Sequence, residues 1–163
     1  MMVKTKHFGE INVDETKVIE FEDGLPGFTH IKKYVLLAND GNEGSGPVFW
    51  LQSINESGNN EDADVALALV NPFAFYPNYS PEIKDEYVET LGHASSNDLS
   101  VFNVVVVPED IKNMTVNLRA PILINQHTKK GAQVVSENQE YGVRHFLYQD
   151  IEKIRKTFEE GGK

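Results

Sequence analysis

Hydrophobic positions in this chain come in short bursts. Val3 to Phe8, Thr16 to Phe21, Tyr34 to Ala38, Val48 to Ile54, Val65 to Val70 and Val101 to Val107 are each apolar or alternating, with Gly, Pro, Asn or Asp nearby. Thr115 to Leu118, Ile122 to Asn125, Ala132 to Glu137 and Val143 to Tyr148 continue the pattern. Period-two alternation between turn residues predicts strands, and the Val, Ile, Phe and Tyr enrichment suits a pleated, half-buried surface. Roughly ten close-set strands without alternating long helices predict a mainly β fold, a small antiparallel β-barrel-like or sandwich domain. The first two strands are expected to join through Asp14-Glu15.

One or two short helices interrupt the strands. Ser80 is placed to be an N-cap and Pro81 the first helical residue, with Ile83, Tyr87 and Leu91 on one face and Gly92 as the stop. A second helix is expected from about Asp150, with Ile151, Ile154 and Phe158 as its apolar stripe and Gly161-Gly162 as its end. Two polar segments, Asn39 to Gly46 and Asn55 to Asp64, read as hairpin tips. The expected organisation is one β-barrel domain over residues 1–149 and a C-terminal helical extension over 150–163.

Charge narrows the partners. With 25 acids against 15 bases the net charge is −10. Such a chain repels phosphates at long range, which argues against direct nucleic-acid binding and favours a partner with a basic face. Lys129-Lys130 beside Gly131 reads as a turn, not a basic patch. Cysteine is absent, so disulfides and thiolate chemistry are excluded. No apolar run is long enough to span a bilayer, and the N-terminus lacks the apolar region of a secretory signal. A cytoplasmic protein, monomeric when free, is the expectation.

A search for catalytic chemistry finds little. His7, His30, His93, His127 and His145 form no metal-ligand spacing. Asn60 to Val65 resembles the start of a calcium loop, but Val65 stands where Gly is required and Asn71 where the bidentate Glu belongs. Ser45 lies between glycines without the preceding strand of a nucleophile elbow. Acid pairs such as Asp85-Glu86 and Glu109-Asp110 fit helix or turn starts. The expectation is no catalytic residue, no metal and no cofactor; the alternative is a small β-barrel enzyme or ligand-binding protein with an aromatic-lined site.

Some local sequence is unusual. Leu25-Pro26-Gly27-Phe28 makes a rigid turn with two large apolar groups. Asn71 to Tyr79 holds four aromatics and two prolines in nine residues, which predicts an irregular, preorganised segment. It reads as a lid on an open barrel end in preference to a partner hot spot. Trp50 is expected in the core, and Arg119 is expected to bridge to an acid within the fold.

Together these segments resemble the FliW family. The resemblance rests on Gly24-Leu25-Pro26-Gly27-Phe28, Trp50-Leu51-Gln52-Ser53, Asn71-Pro72-Phe73 with Tyr76-Pro77 and Tyr79, and Asn117-Leu118-Arg119-Ala120-Pro121-Ile122 with Asn125. Gln133-Val134-Val135, Tyr141 and Arg144 complete it, and the matching order covers roughly residues 3–148. The loops around Asn42 and Asn59 are longer than the family needs, and the helix after Asp150 looks like an extension. The resemblance implies a compact β-barrel without catalysis, a flagellar assembly factor acting as a partner switch. Proteins of that family bind newly made flagellin. When free of it they bind CsrA, the dimeric RNA-binding regulator that represses flagellin translation. On this reading Glu82, Asp85, Glu86, Glu109, Asp110 and Ile111 are candidate contacts for the regulator. Phe73, Phe75, Tyr76 and Tyr79 are candidates for flagellin.

Overall fold

The computed structural model describes residues 1–38, 48–54, 65–92 and 98–161, with side chains as far as Ile154. Asn39 to Gly46, Asn55 to Asp64, Ser45, His93 and Phe158 of the sequence reading lie outside the described residues or side chains. A hairpin of β1 (Met2–Thr5) and β2 (Gly9–Asn12) opens the chain. There follow β3 (Ile19–Glu20), β4 (Lys33–Ala38), β5 (Val48–Ser53), β6 (Ala66–Val70), β7 (Leu99–Val106) and β8 (Thr115–Val116). The last strands are β9 (Ile122–Asn125), β10 (Lys130–Gln133) and β11 (His145–Phe146). The helices are α1 (Asp85–Thr90) and α2 (Tyr148–Gly161).

Seven strands close a barrel in the order β7-β6-β5-β4-β3-β10-β9, with β9 returning to β7 from Leu99↔Asn125 to Phe102↔Ile122. The length of β7 explains the layout. Its first half pairs with β9, and its far end pairs with β8, which carries β11 as an added edge strand. One junction is parallel, β3 with β10 at Lys130↔Glu20, where Glu20 N–H donates to Lys129 O at 2.9 Å. The other barrel junctions are antiparallel, as expected.

Strand alternation sorts the side chains. On β4, Tyr34 and Leu36 belong to the barrel interior, while Val35 and Leu37 pack outward against the β1–β2 hairpin. Phe21, Leu25, Leu51, Leu69, Ile122 and Ile124, all almost fully buried, share that interior with Ile19, Ile31 and Phe102. Burial of each such side chain stabilises by about 1.5–3 kcal/mol. The Phe21 ring meets Tyr34 edge-on at 5.2 Å, and Phe49 meets Phe102 at 5.4 Å. Gly131 leaves room for this core, since a Cβ there would sit 2.7 Å from the Phe21 ring.

Buried polar side chains tie outer segments to the barrel. Gln52 Oε1 accepts Lys6 N–H at 2.9 Å, anchoring the first hairpin. Asn125 Nδ2 donates to Leu91 O, and its Oδ1 accepts the N–H groups of His127 and Thr128. It thereby fixes both the end of the α1 segment and the β9–β10 turn, in which Lys129 takes a φ of 58°. The reading of Lys129-Lys130 as a turn holds at Lys129.

Several expectations are corrected. The strand β2 replaces the expected direct link between the first two strands. Residues 80–84 are not helical. Ser80 N–H donates to Tyr141 Oη, Glu82 N–H to Asn138 Oδ1, and Glu137 N–H to Glu82 O, which hold the segment extended. The helix therefore starts at Asp85 after Lys84, without a side-chain cap. Trp50 points out of the barrel, half-buried, with its ring 4.1 Å from that of His7. Arg119 makes no ion pair among the described residues; Asn117 Oδ1 instead accepts its backbone N–H.

Candidate functional site

An apolar groove of about 200 Å³ opens beside the point where β8 leaves the barrel. One wall is the turn Leu25–Phe28. Leu25 is buried in the core and accepts Phe28 N–H at 2.8 Å, so Pro26 and Phe28 are presented on a fixed turn. Gly24, at φ +65°, permits this turn, because a Cβ there would lie 2.6 Å from Thr29 Cα. The floor is Val104 and Val106 of β7 with Leu67 of β6. The far wall comes from Val143 and Arg144, just before β11, and Asn117 and Gln133 supply its polar groups.

Register extends this surface. Val106 pairs with Thr115, and Thr115 with Phe146, so the three lie side by side on one face of β7-β8-β11. Val106 is 61% exposed and Phe146 59%. Isolated exposed apolar residues are ordinary, but here two of them flank Thr115 beside an apolar groove. Arg144 is exposed at the lip, and its guanidinium has no ion pair or hydrogen bond among the described residues.

The aromatic segment occupies another place. Asn71 Oδ1 accepts Phe73 N–H and opens a 3-10 turn over Pro72–Ala74. Phe75, Tyr76 and Tyr79 pack on the barrel's outer flank with Val70, Val105, Val116 and Leu147. The expected lid over a barrel end is corrected to this flank. Tyr79 Oη donates to Leu118 O and accepts from Asn103 Nδ2 at 3.2 Å; burial pushes its pKa up to about 12. Tyr76 Oη donates to Asp150 Oδ2 at 2.6 Å, while His145 Nε2 lies 2.9 Å from the same oxygen. Burial and then the Asp150 hydrogen bond raise the Tyr76 pKa. For Asp150, partial burial opposes ionisation, but the bonds from Tyr76 and His145 outweigh it and hold the carboxyl below its usual range. This shared carboxylate fastens the first turn of α2, and Ile151 packs beneath it. Of the four candidate aromatics, Phe73 is the exposed one, at 44%.

The candidate acids are all exposed but belong to two supports. Glu82, Asp85 and Glu86 lie on the α1 segment, where Ile83 packs toward Leu123 and Val134. Glu109, Asp110 and Ile111 lie in the β7–β8 turn, where Asp110 Oδ1 accepts Lys112 N–H and the Ile111–Asn113 turn contacts α2. Among the described residues, no group of three His, Asp or Glu side chains is placed to hold a metal.

Sequence reasoning missed the groove, and with it the places of Val106, Val143 and Phe146; Arg144 entered only through the family resemblance. A signal existed in Val104-Val105-Val106-Val107: an unbroken apolar run in a strand must put valines on both faces.

The family model described as FliW protein matches residues 2–147. The chain belongs to the FliW family. It is 40% identical over 150 residues to the flagellar assembly factor FliW of Caldicellulosiruptor bescii, covering 92% of each chain. It is also 40% identical over 155 residues to that of Alkaliphilus metalliredigens, covering 95% of this chain and 91% of the relative. A crystal structure of the flagellar assembly factor FliW superposes with a TM-score of 0.78 at 32% identity, covering 91% of this chain and 97% of that one. The FliW-like segments from the sequence meet at two places in the fold. Leu25 to Phe28, Asn117, Gln133 and Arg144 meet at the groove, and Phe73, Tyr76, Tyr79 and Tyr141 meet on the outer flank. Helix α2 begins past the end of the FliW match, yet Asp150 and Ile151 bind it to that flank.

Proposed function

We propose that this FliW-family protein is a cytoplasmic, non-enzymatic flagellar assembly factor that binds flagellin before export. When free of flagellin it binds the CsrA-type translational regulator and relieves repression of flagellin translation. The observation that carries this reading is the exposed apolar groove built from FliW-like segments, on a scaffold in which buried Gln52 and Asn125 are used to tie segments together. Two kinds of surface, apolar and acidic, divide the work. The groove and exposed Phe73 suit apolar contact with flagellin. The acids Glu82, Asp85, Glu86, Glu109 and Asp110, with Ile111 as apolar anchor, suit a regulator that must present basic residues to RNA. An acidic protein of net charge −10 docked near that basic surface opposes phosphate entry by repulsion, without filling the RNA site.

The test reverses Asp85, Glu86, Glu109 and Asp110 to Lys and titrates the regulator–RNA complex with each form of the protein. Wild type displaces RNA and the reversed form displaces it poorly. Equal displacement by both removes the charge account, and no displacement by either removes the regulator as partner.

A further inference from the structure

We infer that the groove and the adjoining edge of β11 together bind an extended protein segment with apolar side chains at alternate positions and a carboxylate that pairs with Arg144. The inference rests on the proposed reading that this protein acts by binding other proteins, and it specifies what the groove selects.

The shape of the site sets the conformation of its occupant. A groove of about 200 Å³ takes a few side chains. The free strand edge beside it offers main-chain partners that an extended segment can use and a helix, with its backbone groups already paired, cannot. The backbone beside it is available for pairing. Leu147 N–H donates to Met114 O, and Asn117 N–H donates to Val104 O. With the β7–β8 and β8–β11 registers, these bonds place the backbone groups of Val116 toward His145. The N–H and C=O of Phe146 then face away from β8. Among the described residues β11 ends the sheet order, so no strand covers that side. An unpaired edge beside an apolar face is the arrangement that accepts strand addition, in which main-chain bonds give affinity and alternate side-chain pockets give specificity. The described side chains of helix α2 that pack on the barrel do so on the opposite face. The helix packs by Ile151 and Asp150 against the Leu147 and Tyr76 side, whereas Phe146 points the other way.

Charge sets the chemistry. The chain has 15 bases against 25 acids, and several described cations are committed to carboxylates, such as Lys130 to Glu22 and Lys84 to Glu137. Arg144 stands at the groove lip with no such partner among the described residues. A guanidinium presents a planar fork that matches a carboxylate in two parallel hydrogen bonds. A segment carrying Asp, Glu or a terminal carboxylate at that point complements the site; one carrying Lys or Arg there is repelled.

The test pans a display library of random peptides on the full chain and titrates the selected peptides, made synthetically, by fluorescence anisotropy. Selected sequences are expected to alternate apolar residues around one acid. Their affinity should fall at least tenfold in Arg144→Glu and in Val106→Glu, and on N-methylation of the peptide residue that pairs with Phe146. Both substituted positions are surface ones, so thermal melts should match wild type and exclude misfolding. Peptides with apolar residues at three- and four-residue spacing, basic peptides, no selected peptide, or undiminished binding to Arg144→Glu would each overturn the inference. Co-purification with flagellin and with the regulator is measured in parallel. If neither protein is bound while such peptides are selected, the partner assignment fails and the groove chemistry stands. If both bind equally well to Val106→Glu and Arg144→Glu, the assignment stands and the groove inference fails.

Discussion

At the scale of single residues, buried polar groups and tight contacts decide which substitutions matter. Tyr79 is buried against Asn103 with its hydroxyl bonded to Leu118 O. Removing that hydroxyl in Tyr79→Phe takes the donor from the Leu118 carbonyl and leaves Asn103 Nδ2 with Asn117 O as its remaining acceptor, which should cost about 1–3 kcal/mol. Urea denaturation at neutral pH measures it, and an unchanged midpoint would mean the hydroxyl bond is worth nothing. Gly131→Ala forces a methyl against the Phe21 ring at 2.7 Å and should cost a similar amount, about 1–3 kcal/mol, as overpacking does. Asp150 adds a pH dependence. Its folded pKa lies below the ordinary 3.8, so its contribution is fully present above that value and is lost as pH falls through the folded pKa. Wild type should therefore be more stable than Asp150→Asn at pH 7, with the gap narrowing below about pH 4. A gap independent of pH would assign the effect to packing instead of charge.

At the scale of elements, α2 gives a distinct expectation. It lies past the FliW match but contributes Asp150 and Ile151 to the outer flank. Deleting residues 148–163 should leave a folded barrel that melts at lower temperature, by a loss of about 1–3 kcal/mol. A chain that fails to fold would make α2 part of the barrel's core stability. The elements also show what sequence patterning can reveal. Alternation on β4 to β7 was legible because one face of each strand meets the closed interior and the other meets a covering segment. The helix start was not: Ser80-Pro81 is a good local signal, but the bonds to Tyr141, Asn138 and Glu137 come from 55 to 61 positions away and override it. Trp50 was misread because an apolar run in a strand does not say which side each residue faces. The aromatic segment was legible as rigid and preorganised, whereas its seat depended on α2 and β11. The groove was the least legible part, since six stretches separated in sequence build it.

At the scale of the whole molecule, the barrel acts as a rigid frame that brings FliW-like segments to one groove and one flank. The candidate acids are exposed, and the net charge is −10. Association with a basic partner should then slow markedly as salt rises from low to physiological concentration, because steering between exposed charges is screened over about 10 Å at 0.1 M. Docking into the apolar groove should respond much less. Stopped-flow association at several salt concentrations distinguishes the two, and equal salt dependence would place both partners on one surface.

The most direct measurement is gel filtration of the purified full chain mixed with monomeric flagellin, and separately with the CsrA-type regulator. The expected result is a stable co-eluting complex with each, the flagellin complex being weakened by Val106→Glu. Elution of the chain by itself in both mixtures would contradict a protein that works by occupying other proteins.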